Sequence, residues 1–86
     1  MKKNEITYPE RWEYRVFAEA DKLAMVREVV GAILAEHDEH AELTDGDRSS
    51  SGKYLALRGR AEVKSKDEAE ALGRKLAAVP GVKFVL

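Results

Sequence analysis

The amino-acid sequence predicts an α+β domain with the element order strand, helix, strand, strand, helix, strand. Three observations carry this prediction. Lys53–Lys64 alternates apolar and polar residues as a strand does, Asp21–Asp38 has apolar residues at helical spacing, and Ser65–Glu68 has the pattern of a helix start. Two βαβ halves joined by a hairpin give a ferredoxin-like βαββαβ sandwich, with both helices on one face of a four-stranded antiparallel sheet.

The first strand is predicted at Trp12–Glu19, where residues of alternate parity would face the core and solvent. Phe17 is the one large apolar residue on the polar side of this strand. The helix at Asp21–Asp38 would be capped by the Asp21 carboxylate. Gly31 in its interior costs about 1 kcal/mol relative to alanine, which a close approach of another element would explain.

The second strand is predicted as an irregular edge strand at about residues 41–49, interrupted near Gly46. A hairpin at Ser50–Gly52 would then lead into the third strand. The first and third strands are long, so we place them at the centre of the sheet.

The third strand has one apolar and one polar side. Alternation places Tyr54, Arg58 and Arg60 on the solvent side, together with Glu62. The opposite side would face the core and carries Leu55, Leu57, Gly59, Ala61 and Val63.

The second helix is predicted to begin with a capping box formed by Ser65 and Glu68 and to run to about Ala78. Pro80-Gly81 would end it, since proline interrupts the hydrogen-bonding ladder. A last strand follows at Val82–Leu86. Simple alternation puts Val82, Phe84 and Leu86 on one side of this strand, and Lys83 and Val85 on the open face of the sheet.

The composition limits the classes of protein to which this chain can belong. The chain has 86 residues, of which 44% are hydrophobic and 36% charged, as expected of one small globular domain. We divide it into a lead at residues 1–10 and a domain at residues 11–86. The formal net charge of -1 favours neither nucleic acid nor membrane as a partner. The absence of cysteine excludes disulfides and thiolate metal sites. With no signal sequence and no apolar run long enough to span a membrane, we expect a cytoplasmic protein.

A family resemblance rests on several motifs. Tyr8-Pro9 stands at the entry, His37 near the end of the first helix, Ser49–Tyr54 before the third strand, and Val82–Leu86 at the end. On these residues the chain resembles the YbeD-like family of small bacterial proteins, known as domain of unknown function 493. That family is similar in fold to ACT regulatory domains, so the resemblance implies the same βαββαβ sandwich. It implies no activity, cofactor or ligand residue.

Catalytic and metal chemistry have little support in the sequence. His37 and His40 are three residues apart, but a zinc site needs a further ligand and the HExxH spacing is absent. Ser49–Ser51 supplies hydroxyls on a turn, with neither histidine near it in sequence. We therefore predict a protein that is not an enzyme and uses no metal and no cofactor.

The solvent side of the central strands is the candidate interaction face. We predict that it contains Arg15, Phe17, Tyr54, Arg58 and Arg60. The favoured function is a regulatory or interaction module that binds a protein partner or a second copy of itself. One alternative is RNA binding, because open four-stranded sheets stack bases on aromatic residues. Another is an ACT-like sensor of a small ligand, although the loop after the first strand lacks the glycine that such sites use.

Overall fold

The fold is an antiparallel four-stranded sheet with two helices, as predicted. The computed structural model describes residues 7–48 and 52–86. The sheet has the strand order β2-β3-β1-β4. The elements in chain order are β1 (Glu10–Glu19), a 3-10 turn (Ala20–Lys22), α1 (Leu23–His37), β2 (Glu42–Arg48), β3 (Tyr54–Val63), α2 (Lys66–Ala77) and β4 (Val82–Val85). Neither helix of these described ranges has the length and apolar character needed to cross a membrane.

The two central strands, β1 and β3, pair along their whole length, from Glu10 opposite Val63 to Glu19 opposite Tyr54. One side of this ladder is apolar and is covered by both helices. The predicted core side of β3 is confirmed, except that Leu55 is only half-buried. The core is formed by these buried residues: Tyr14, Val16, Ala18, Val26, Val30, Leu34, Leu57, Ala61, Val63, Ala69, Leu72, Leu76 and Val79. Tyr8, from the predicted lead, packs against this core, while the division at residue 10 stays a prediction.

The start of α1 differs from the prediction. The chain leaves β1 through the 3-10 turn, so Asp21 lies inside that turn and Lys22 takes the capping position. Among the described residues no side chain caps the helix there. The predicted role of Asp21 as the cap is therefore wrong, because the extra turn moves the capping position one residue towards the carboxyl end.

The acidic end of α1 is tied to β3. The Asp38 carboxylate accepts hydrogen bonds from the backbone N–H groups of Glu62 and His40, both at 2.9 Å. These two hydrogen bonds lower the pKa of Asp38 below its usual value, and the bond from Glu62 has the larger effect. Glu42 lies 3.7 Å from the Arg11 guanidinium. Asp38 and Glu42, which follow α1, thus have partners outside the helix.

The capping box of α2 is present in a modified form. The Ser65 hydroxyl accepts from the Glu68 N–H at 3.0 Å, as predicted. The Glu68 carboxylate reaches back to the N–H of Lys64, at 2.8 Å, one residue before the cap. The helix ends at Ala77, and Gly81 reverses the chain with a φ of 96°.

The edge strand β2 is irregular where predicted. Its pairing with β3 runs regularly from Glu42 to Asp45 and then shifts register before Arg48. At Gly46 an added Cβ would lie 3.1 Å from the Ala56 Cβ, so the backbone passes close to β3. The predicted hairpin at Ser50–Gly52 falls largely outside the described residues.

The last strand, β4, contains a bulge that overturns the predicted alternation. Phe84 is opposite Phe17, yet Val82 is opposite Ala18, so Lys83 is an extra residue on the β4 side. Val82 and Val85 both pack against the core. The prediction that Val85 lies on the open face is wrong, and Phe84 takes that face instead, because a one-residue shift exchanges the two sides of a strand.

Tyr14 joins β1 to α2. Its ring is buried, and its hydroxyl donates a hydrogen bond to the carbonyl oxygen of Ala69. Gly73 lets the ring lie close to the helix, since an added Cβ there would lie 3.3 Å from Tyr14. Burial, together with the Glu68 charge, raises the pKa of Tyr14 to about 12.

Replacing Gly59 and Gly31 by alanine should change the free energy of unfolding in opposite directions. At Gly59 an added Cβ would lie 2.7 Å from Cδ1 of buried Leu34, so Gly59→Ala should lower the free energy of unfolding by about 1–3 kcal/mol. At Gly31 the nearest atom is Leu43 Cδ2, at an ordinary 3.5 Å. Gly31→Ala should therefore raise the free energy of unfolding by about 0.5–1 kcal/mol. Urea denaturation of both variants measures this, and a loss of stability in both would contradict it.

Tyr14→Phe should lower the free energy of unfolding by about 1 kcal/mol at neutral pH, because it removes a buried hydrogen bond. In the wild type, the stability linked to the raised Tyr14 pKa is present below about pH 10 and is lost as the pH rises towards 12. The difference between the two proteins should therefore shrink by about 1 kcal/mol between pH 8 and pH 11. A difference that stays constant in urea denaturation at these two pH values would show that Tyr14 titrates normally.

Candidate functional site: the open sheet face

The sheet face away from the helices carries all five residues of the predicted interaction face. The β1–β3 register places Arg15 opposite Arg58, Phe17 opposite Ala56 and Tyr54 opposite Glu19. Arg60 follows on the same side of β3. The structure thus brings these residues onto one surface, which we call the open face. Their role in binding stays a prediction.

One end of the open face is aromatic. The Phe17 and Phe84 rings stack with centroids 4.5 Å apart, and Tyr54 meets Phe84 edge-on at 6.3 Å. The Lys53 ammonium lies 5.5 Å from the Tyr54 ring. Ala56 beside these rings is buried, although it stands on the face without helices. Phe84 is 42% exposed, so the cluster presents part of an apolar ring to solvent.

Sequence reasoning missed Phe84 because the bulge at Lys83 depends on how β4 meets β1. The only available signal was Phe17, a large apolar residue on a polar parity. A side chain of that kind needs an apolar neighbour on the same face, and the next strand in the sheet supplies one.

The other end of the open face is charged. Arg60 donates to the Glu13 carboxylate at 3.0 Å, so this predicted residue is engaged in a surface ion pair. Arg15 is exposed, and within residues 7–48 and 52–86 it forms no ion pair. It stands directly opposite Arg58, which is half-buried. Two arginines opposite each other concentrate positive charge at this point of the open face.

An apolar groove lies on the other side of the sheet, between α2 and the edge formed by β1 and β4. Its volume is about 420 Å³. Half-buried Trp12 lies in its wall, and small residues of α2 leave room beside it. The lining residues are Trp12, Tyr14, Ala69, Glu70, Gly73, Arg74, Ala77, Val85 and Leu86. Sequence reasoning did not identify this groove, because it depends on where β4 stops along β1.

The histidines do not converge on a site. The Nε2 atom of His37 lies 2.9 Å from the Glu62 carbonyl oxygen and 3.5 Å from a Glu68 carboxylate oxygen. His40 is exposed and lies beside Glu39. In the described part of the chain, no three His, Asp or Glu side chains are placed to hold a metal ion. The Ser49–Ser51 hydroxyls fall outside the described residues.

Comparison with known proteins identifies a family. The family model described as "Protein of unknown function (DUF493)" matches residues 3–86, which confirms the resemblance predicted from the sequence. A search of curated proteins finds no match. The similarity to ACT domains in particular stays a prediction.

Solved structures share the fold. The solution structure of protein HP0495 from Helicobacter pylori is 24% identical and has a TM-score of 0.75, covering 99% of this chain and 89% of that one. A second solution structure of HP0495 has a TM-score of 0.70 at 22% identity, with coverage of 100% and 95%. The C-terminal domain of MgtC from Mycobacterium tuberculosis has a TM-score of 0.65 at 16% identity, with coverage of 95% and 89%. At these identities the likeness establishes the fold alone.

The stacking of Phe84 on Phe17 should stabilise the folded protein. Phe84→Ala removes a stacked ring from Phe17 and should lower the free energy of unfolding by about 1–2 kcal/mol. The neighbouring Lys83→Ala serves as the control and should change it by less than about 0.5 kcal/mol. Thermal and urea denaturation measure both, and equal effects would show that the Phe84 ring lies free of Phe17 in solution.

Proposed function

Because the chain belongs to the DUF493 family of proteins of unknown function, we propose a role from its own surface: a non-enzymatic protein-interaction module. The partner is a protein segment that carries both carboxylates and apolar side chains. It binds across the open face, where carboxylates meet Arg15 and Arg58 and an apolar side chain packs on Phe84. The observation that supports this most is the opposed arginine pair beside an exposed aromatic ring.

The spacing of these groups suits a polypeptide. Arg15 and Phe17 are two residues apart on the same side of β1, so their side chains are neighbours along the strand. A partner residue pair at the same spacing, one acidic and one apolar, would meet both at once. Aromatic and arginine side chains supply much of the binding energy in protein interfaces, which fits this assignment.

Nucleic acid is the competing partner, and exposed Phe84 is the observation that favours it, since bases stack on aromatic rings. Two features favour protein instead. The Phe84 ring is already stacked on Phe17, which occupies one of its faces. The open face also carries carboxylates, at Glu13, Glu19 and Glu62, and these would repel a phosphate backbone.

Arg15 is the residue to test first, since Arg60 is engaged with Glu13. A partner captured from extracts of the native cell, after nuclease treatment, is identified and then purified for direct titration. Arg15→Ala should weaken its binding by about tenfold, and Arg58→Ala should act in the same direction. The melting temperature of Arg15→Ala should hardly change, because an exposed substitution rarely alters stability by more than about 0.5 kcal/mol.

Lys75→Ala provides the matched control, because Lys75 is an exposed cation on α2, on the opposite layer. Its binding should equal that of the wild type. Identical titrations for Arg15→Ala and wild type would contradict the proposal. Capture that disappears on nuclease treatment would assign the open face to nucleic acid instead.

A further inference from the structure

The central strand β1 is longer than the strand beside it. On one side it is paired with β3 from Glu10 to Glu19. On the other side, β4 pairs only with residues 16–18, and two further hydrogen bonds join Arg15 to Leu86. In the described ranges, no strand covers the rest of that side, from Glu10 to Tyr14. We call this stretch the free edge of β1.

The backbone of the free edge is oriented for strand pairing. Arg15 exchanges N–H and C=O hydrogen bonds with Leu86, at 2.9 and 2.8 Å. Because backbone groups alternate in direction along a strand, those of Glu13 and Arg11 point to the same outer side. The Arg11 N–H is bonded locally to the Glu10 carboxylate at 3.0 Å. Glu13 therefore presents both a donor and an acceptor on an exposed edge, which is a template for another strand.

We propose that a second copy of this chain occupies the free edge. The two β1 strands pair antiparallel about a two-fold axis at Trp12, which joins the two sheets into one of eight strands. In this register Arg11 of each copy faces Glu13 of the other as a hydrogen-bonded pair, and the Arg11 N–H exchanges its local bond to the Glu10 carboxylate for the Glu13 carbonyl oxygen of the other copy. The inference is independent of the open-face proposal, since Arg15, Phe17 and Phe84 lie outside the paired stretch.

Charge complementarity selects this partner and this register. Within one copy, Glu42 is opposite Arg60, and Arg60 is opposite and bonded to Glu13. Arg11 is opposite Glu62. Its exposed guanidinium donates to the His40 carbonyl oxygen of its own copy at 3.2 Å and would turn from there to the second copy's Glu13. The pairing about Trp12 continues this row with strictly alternating sign across both sheets: Glu42, Arg60 and Glu13 of one copy, then Arg11 and Glu62 of the other. The two-fold axis generates the row twice.

Neighbouring registers lack this match. An axis at Arg11 would place the two Arg11 side chains against each other, and an axis at Glu13 would do the same with two carboxylates. Like charges directly opposite each other destabilise a sheet. The axis at Trp12 also brings the two Trp12 side chains together on the helix side of the sheet, where non-hydrogen-bonded residues approach most closely. Gly73 and Ala77 leave space in the groove for the approaching ring.

The decisive experiment mixes two charge variants of the full-length chain. Arg11→Glu carries carboxylates at both positions 11 and 13, and Glu13→Arg carries guanidinium groups at both. Each variant repels a copy of itself, but a mixed pair is complementary at all four positions. By sedimentation equilibrium, each alone should dimerise at least about tenfold more weakly than wild type, and an equimolar mixture should recover the heterodimer. Unchanged dimerisation of the single variants would overturn the proposal.

A backbone variant tests strand pairing separately from charge. Glu13→Pro removes the outward N–H without touching the ladder to β3, whereas Glu13→Ala keeps that N–H and loses the same carboxylate. Dimerisation should be weakened more by proline than by alanine, and amide exchange at Glu13 should slow as wild-type concentration rises. A wild type that stays monomeric at millimolar concentration would overturn the proposal. If its Glu13 amide were nevertheless protected at every concentration, the occupant would be residues 1–6 of the same chain.

Discussion

The full-length pairing of β1 with β3 is the constraint on which the rest of the structure depends. Ten consecutive pairs fix which side of both strands is apolar, so both helices must cover that side. At Gly59 in this ladder an added Cβ would lie 2.7 Å from Cδ1 of Leu34, so no larger side chain fits there without movement. A slip of the ladder by one residue would turn Arg58 and Arg60 towards the core. The same pairing that buries Leu57 therefore keeps the arginines together on the open face.

The parts of the fold that sequence predicts well are those set by local pattern. The alternation of β3, the apolar stripes of both helices and the Ser65 cap depend on residues close together in the chain, and all appear in the structure. The fold class follows from their order. The start of α1 was misplaced because Asp21 has the side chain of a cap, while the intervening 3-10 turn gives no local sign.

The candidate site was predictable only in part, for a related reason. Arg15, Phe17, Tyr54, Arg58 and Arg60 share a face because two regular strands place them there. Phe84 joins them through an irregular pairing between strands more than sixty residues apart, and no periodicity in a four-residue strand reveals that. The groove and the free edge depend on the relative lengths of β1 and β4, which become visible only after the strands are paired.

The bulge at Lys83 has a consequence for comparing this chain with its relatives. Alignment by hydrophobic pattern treats Phe84 and Val85 as adjacent positions of one short apolar strand, but they serve opposite sides of the sheet. In a relative whose last strand lacks the extra residue, such an alignment would place the core residue opposite Phe84 and the surface residue opposite Val85. At about a quarter identity, an alignment that ignores strand pairing would therefore match a surface aromatic residue to a core residue. Only superposition of the β1–β4 ladder identifies which residue of a homologue corresponds to Phe84.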